Sequence, residues 1–128
     1  MEMRLTRDSV HAGDDVDAPH EVRPELPADA DLADLADWIL AHHYLPTAGL
    51  GGTWVLFLGA RRGGRAAAVP GRPAAAISWW THEPPEVAFI LPPDTPVAGY
   101  QWADLRHGHR GGAQEVAQRW SPTPGAPW

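Results

Sequence analysis

Apolar and polar residues alternate along this chain with two periods, and the one near 3.6 residues is clearest in Asp31 to His43, DLADLADWILAHH. At 100° per residue, Leu32, Leu35, Ala36, Ile39, Leu40 and His43 share one arc of roughly 140°, with Asp31, Asp34, Asp37 and Ala41 opposite. The spacing predicts an amphipathic helix. Asp31 is a good N-cap, because its carboxylate can accept a backbone N–H two or three residues on, and Asp34 adds negative charge at the positive end of the helix dipole. Pro46 forbids continuation. Burying the four large aliphatic side chains is worth at most about 6–12 kcal/mol, so the helix needs a sheet or another helix to lie on.

The other period is two, the signature of strands. MRLTRDSV, Met3 to Val10, puts Met3 and Leu5 on one face and Arg4 and Thr6 on the other. His20 to Leu26 alternates Val22 and Leu26 with Glu21, Arg23 and Glu25, and Pro24 within it marks an edge strand, where a missing N–H is tolerated. Thr53 to Leu58, TWVLFL, is apolar on both faces and is therefore a strand buried on two sides. The face away from the helix must then be covered by the C-terminal half or by another chain, a homo-oligomer being one way to do so. Ala66 to Val69 can return antiparallel to TWVLFL, while residues 59 to 76 are low in complexity. Ala75 to Trp80 and Glu86 to Leu91 read as further strands. After Pro92 the signals thin. Gln114 to Trp120 fits one helical turn or a short strand, and residues 121 to 128 form an extended tail after a single domain of residues 1 to 120.

The segment HEVRPELPADADLADLADWIL, with Leu32, Leu35 and Ile39 spaced three and then four apart, resembles the second strand and helix of ubiquitin-like β-grasp domains. The order strand, strand, helix, strand, strand over residues 3 to 60 extends the likeness, and in that fold the second strand lies at a sheet edge. The resemblance implies an α+β fold, a β-grasp-like sheet packed on one amphipathic helix, with additional strands or loops in the C-terminal half. No diglycine tail ends the chain, so conjugation is not implied. RLTRDSV followed by GDDVDAPH also resembles the opening of small uncharacterised bacterial proteins, a likeness with which no activity travels.

Composition narrows the function classes. The 128 residues suit one domain. With no Cys there is no disulfide framework, thiolate nucleophile or cysteine metal site. No apolar run reaches the roughly 18 residues of a membrane span, and the amino terminus lacks a signal core, which together predict a cytoplasmic protein. All ten basic residues are Arg, as in proteins of GC-rich bacteria. Residues 1 to 37 hold eleven acidic and three basic side chains, whereas the remainder holds five and seven. A net charge of −6 argues against general nucleic-acid binding and for a partner with a basic surface.

Candidate chemistry is sparse. Asp14, Asp15 and Asp17, flanked by His11 and His20, fall in one hairpin loop that could hold a divalent cation, although Ala18 and Pro19 break the calcium-loop pattern and an acidic, solvated turn is the simpler reading. His107 and His109, one residue apart with Asp104 nearby, can share a metal, since on a strand such residues point to the same side, whereas in a glycine-rich loop the same pair is polar surface. Ser9, Ser78 and Ser121 sit in no nucleophile-elbow pattern, and no cofactor is called for. Trp38 falls beside Asp31 and Asp34 on the polar flank of the helix, and an aromatic ringed by acids resembles a recognition hot spot. Asp14, Asp15, Asp17, Asp31, Asp34, Asp37 and Trp38 thus form the expected partner surface, and the expected role is a non-enzymatic protein-binding module, an immunity or antitoxin-like inhibitor. A metal-binding protein or metal-dependent enzyme using Asp104, His107 and His109 is the alternative.

Overall fold

The computed structural model describes residues 1–7, 21–42, 44–45, 51–61, 69–80 and 83–121. The described residues form an α+β fold of six strands and two helices: β1 (Arg4–Arg7), β2 (Glu21–Val22), α1 (Leu32–Ala41), β3 (Gly51–Leu58), β4 (Arg72–Trp80), β5 (Glu83–Phe89), β6 (Trp102–His109) and α2 (Ala113–Trp120). The strands make one mixed sheet in the order β2-β1-β6-β3-β4-β5. β1 and β6 run parallel and every other pair is antiparallel. No helix among the described residues is long and apolar enough to cross a membrane.

Alternation along the central strands sorts the side chains into two cores. Trp54, Leu56 and Leu58 of β3 join Met3, Leu5, Ile77 and Leu105 on one face, where Leu32, Leu35 and Ile39 of α1 pack among them. Val55 and Phe57 point the other way, to a smaller cluster with Ala76, Ala88, Ala113, Val116 and Ala117. The two-sided burial expected of TWVLFL is therefore met within the chain, by a helix on each face. Ala113, Val116 and Ala117 of that second cluster come from α2, where the sequence pattern fits either a helical turn or a short strand.

The strands depart from their expected limits for local reasons. β2 has only two residues, and beyond it Pro24 contributes a carbonyl, accepting the Met3 N–H at 3.4 Å, but no N–H. It lies at the sheet edge. Arg61 and Val69 exchange both backbone hydrogen bonds at 2.8 Å, so the return toward β3 begins as a single bridge before β4 proper. β4 starts at Arg72, three residues before the alanines that announce it, because the register slips between Leu56 and Phe57 and opposes Pro73 to Phe57. Pro73 lies outside the β4–β5 register and beside the irregularity in the β3–β4 pairing. β5 is the other edge, and it begins at Glu83, before the expected start at Glu86, so that it contains Pro84 and Pro85; prolines on an edge obstruct pairing with further strands.

Candidate functional site

The outer edge of α1 is built from its first turn. Asp31 is the N-cap, accepting the Asp34 N–H at 2.9 Å while the Asp34 carboxylate accepts the Asp31 N–H at 3.0 Å, a reciprocal capping box. The next donors are met from the segment before β6: Leu32 N–H reaches the Thr95 carbonyl at 2.9 Å and Ala33 N–H the Pro93 carbonyl at 3.0 Å. All the N–H groups of the first turn are therefore used, and the helix end offers no vacant donor to an anion.

What remains outward is carboxylate. Asp34 and Asp37 are exposed and Asp31 half-buried, and among the described residues none of the three forms an ion pair. Asp29, two residues before the cap, is exposed as well. Asp94 adds to this edge from a distant part of the sequence: it is exposed, and the residues on either side of it supply the carbonyls that meet Leu32 and Ala33. Its contribution follows from tertiary docking alone, and no sequence signal links it to the helix.

Trp38 is half-buried and packs on the α1-side core. Its ring stacks on His42 at 4.2 Å and 15°, with Tyr44 tilted at 6.3 Å. The Tyr44 hydroxyl donates to the Leu5 carbonyl at 3.2 Å, and the buried Arg7 places its guanidinium 5.5 Å from the Tyr44 ring. The indole is thus held on a platform anchored to β1 and does not project freely. Asp14, Asp15 and Asp17, with His11 and His20, lie outside the described residues.

The structure does not bring Asp104, His107 and His109 together. Between β3 and β6, Thr53 opposes His109 while Val55 opposes Arg106, so two steps of β3 face three of β6. Gly108, with φ of 98°, takes up the extra residue. One added residue inverts the alternation. The His107 ring lies 4.8 Å from Trp54, on the α1 side, whereas the His109 ring meets Trp120 edge-on at 5.8 Å, and Trp120 in turn meets Phe57 on the α2 side. The expectation of two imidazoles on one side is corrected: the bulge turns them to opposite faces, where they cannot chelate one ion. Asp104 is 1% exposed and engaged elsewhere, accepting from the Thr6 hydroxyl at 2.7 Å and from Arg106 Nε at 3.2 Å. Among the described residues no group of three His, Asp or Glu side chains is arranged to hold a metal.

Thr6, Asp104 and Arg106 form a polar trio that sequence reading did not assemble. Arg106 also lies over the Phe57 ring at 4.5 Å, so its charge is shared between a carboxylate and an aromatic face. The trio ties β1 to β6 and both to β3 beside the α2-side cluster.

Comparisons of the chain with protein-family models, with curated proteins and with solved structures found no match.

Proposed function

We propose that this chain is a non-enzymatic protein-binding module, of the immunity or antitoxin-like inhibitor kind, that works in the cytoplasm and presents the acidic edge of α1 to a basic partner. The observation that carries this reading is the exposure of Asp34 and Asp37 on a helix whose own N–H groups are already satisfied. Their charge is not consumed in holding the fold together by ion pairs among the described residues, and it is available to Arg or Lys of another chain. Asp29 and Asp94 widen the patch, and Trp38 offers a rigid aromatic surface at its flank. Unlike a surface of mobile side chains, such an edge loses little conformational entropy on binding.

The same reading takes the architecture as a β-grasp variant. It is supported by the opening order strand, strand, helix, strand, strand, by the edge position of β2 and by α1 lying on one face of the sheet. β5 and α2 are then additions.

The test is capture of partners from lysate with the protein and with a variant carrying Asp31→Asn, Asp34→Asn and Asp37→Asn. Asparagine keeps an oxygen at each site and removes the charge, so the cap survives. Partner capture should fall at least tenfold and should weaken with added salt in the unsubstituted protein. Equal capture by both proteins would exclude this edge as the binding surface.

A further inference from the structure

The chain carries a second surface whose charge is opposite to that of the α1 edge. Where β6 ends and α2 completes its last turn, Arg110, Arg119 and Trp120 are all exposed. Arg119 donates to the Arg110 carbonyl, which fixes its guanidinium beside residue 110. Trp120 meets the Phe57 ring edge-on at 5.3 Å and the His109 ring at 5.8 Å, so the indole is braced while 37% of the residue stays accessible. Among the described residues neither arginine forms an ion pair, and Glu115, which lies over Gly111, is paired with neither. A braced indole beside two cations has the residue chemistry of a binding hot spot.

The α1 edge is its counterpart. Asp34 and Asp37 are exposed there, Asp29 and Asp94 extend the negative charge, and Trp38 lies stacked at the flank. The two surfaces do not meet within one molecule, because α1 packs on one face of the sheet and α2 on the other. One is held by the segment that leads into β6, and the other follows the last residue of that strand. A neighbour that meets the first surface therefore leaves the second open to another neighbour.

We propose that the occupant of the acidic α1 edge is a second copy of this chain, with Arg110, Arg119 and Trp120 of one molecule seated against Asp34, Asp37 and Trp38 of the next. This rests on the reading of that edge as a protein-binding surface and names its partner. Because the two surfaces differ, the contact is heterologous and molecules add head to tail. Copies of net charge −6 repel as wholes, and the local pairing of opposite signs works against that repulsion. The contact is accordingly weak, with a dissociation constant on the order of 0.1 mM.

The test is sedimentation velocity of the full chain at concentrations spanning that constant, in about 0.1 M and about 0.5 M salt. The sedimentation coefficient should rise with concentration at the lower salt and return to that of a monomer at the higher. Two neutralised proteins then define the contact: one carries Asp34→Asn and Asp37→Asn, the other Arg110→Gln and Arg119→Gln. Each should be monomeric alone, and an equal mixture should form a one-to-one pair and stop, since each supplies the surface that the other lacks. Arg119→Lys keeps the charge and should keep the association, which separates loss of charge from loss of the bond to the Arg110 carbonyl. An unsubstituted protein that stays monomeric would overturn the proposal, and so would a mixture that stays monomeric or grows beyond pairs. If that monomer still captured lysate partners through Asp34 and Asp37, the reading of the edge would stand without self-pairing. Association that survives the two aspartate substitutions would count against both.

Discussion

The two faces of the sheet use the same strands to different ends. Toward α1 the side chains are large: Met3, Leu5, Trp54, Leu56, Leu58, Ile77 and Leu105 are all within about one percent of complete burial, and Leu32, Leu35 and Ile39 are lowered among them. Toward α2 they are small, with Ala60, Ala76, Ala88, Ala113 and Ala117 surrounding Val55, Phe57 and Val116. Small residues let a helix sit close to a sheet but give it little apolar area to bury. α2 has only eight residues, shorter than a helix that holds its shape alone, and Gly112 supplies no side-chain cap. Its ends are held by other means: the Thr53 hydroxyl donates to the Gly111 carbonyl at 2.6 Å, Arg119 bonds the Arg110 carbonyl, and Ser121 Oγ donates to the Ala117 carbonyl at 2.8 Å. One face carries stability through volume and the other through fit.

The difference can be broken by truncation. Leu35→Ala removes a fully buried side chain from the α1 face and should cost about 2–5 kcal/mol in chemical denaturation. Val116→Ala on the α2 face removes less, and about 1–2 kcal/mol is expected from the methylenes lost. Equal costs for the two would show that the faces contribute alike. Enlargement should sort the faces in the opposite way. Ala76→Leu places three more carbons where α2 meets the sheet and should cost about 1–3 kcal/mol. Hydrogen exchange then locates the damage: amides of α2 should lose protection first, while those of α1 keep theirs.

The same contrast explains what could be read from the chain alone. α1 was legible because large apolar residues recur in it at the helical period, and β3 because its apolar run is continuous. β6 was not, although it is a central strand, since its apolar residues are confined to Trp102, Ala103 and Leu105 and the intervening Asp104 and Arg106 read as surface. The buried Asp104 is met in space by Thr6 and Arg106, 98 residues before it and two after. A local pattern cannot contain such a partner. Gly108 hid the strand further, because a bulge reverses the alternation that would have placed His107 and His109 on one side. α2 was ambiguous because its apolar positions are mainly alanines, whose contribution depends on the close approach of the sheet below. The acidic edge was half legible: Asp31, Asp34 and Asp37 follow from the helical period, and Asp94 does not.

Thr6→Val sharpens the comparison within the α2-side face, beyond the reach of α2 itself. The substitution keeps the shape of the side chain and removes the hydroxyl that donates to the buried Asp104 carboxylate. Arg106 remains in place, so the loss should be about 1–2 kcal/mol, in the lower part of the range for a buried acceptor deprived of a partner. Asp104→Asn in the Thr6→Val background should then cost less than in the unsubstituted protein, because the two changes remove one shared interaction. Additive costs, measured by a double-mutant cycle in urea, would show that Thr6 and Asp104 stabilise the sheet separately.

The smallest effect separates folding from recognition on the α1 edge. Asp31→Ala removes the acceptor for the Asp34 N–H and should cost about 1 kcal/mol, whereas Asp31→Asn retains an acceptor and should cost only a few tenths. Asp37 takes no part in the cap and is exposed, so Asp37→Asn should leave the denaturation midpoint unchanged within about 0.5 kcal/mol. If charge on this edge mattered mainly to the helix dipole, the cost would follow proximity to the N-terminus, decreasing from residue 31 to 34 to 37. If it is kept for a partner, Asp37→Asn should weaken capture while leaving stability untouched. Measuring both quantities on the three single variants decides between these uses, because a carboxylate that does nothing for its own fold has its reason outside it.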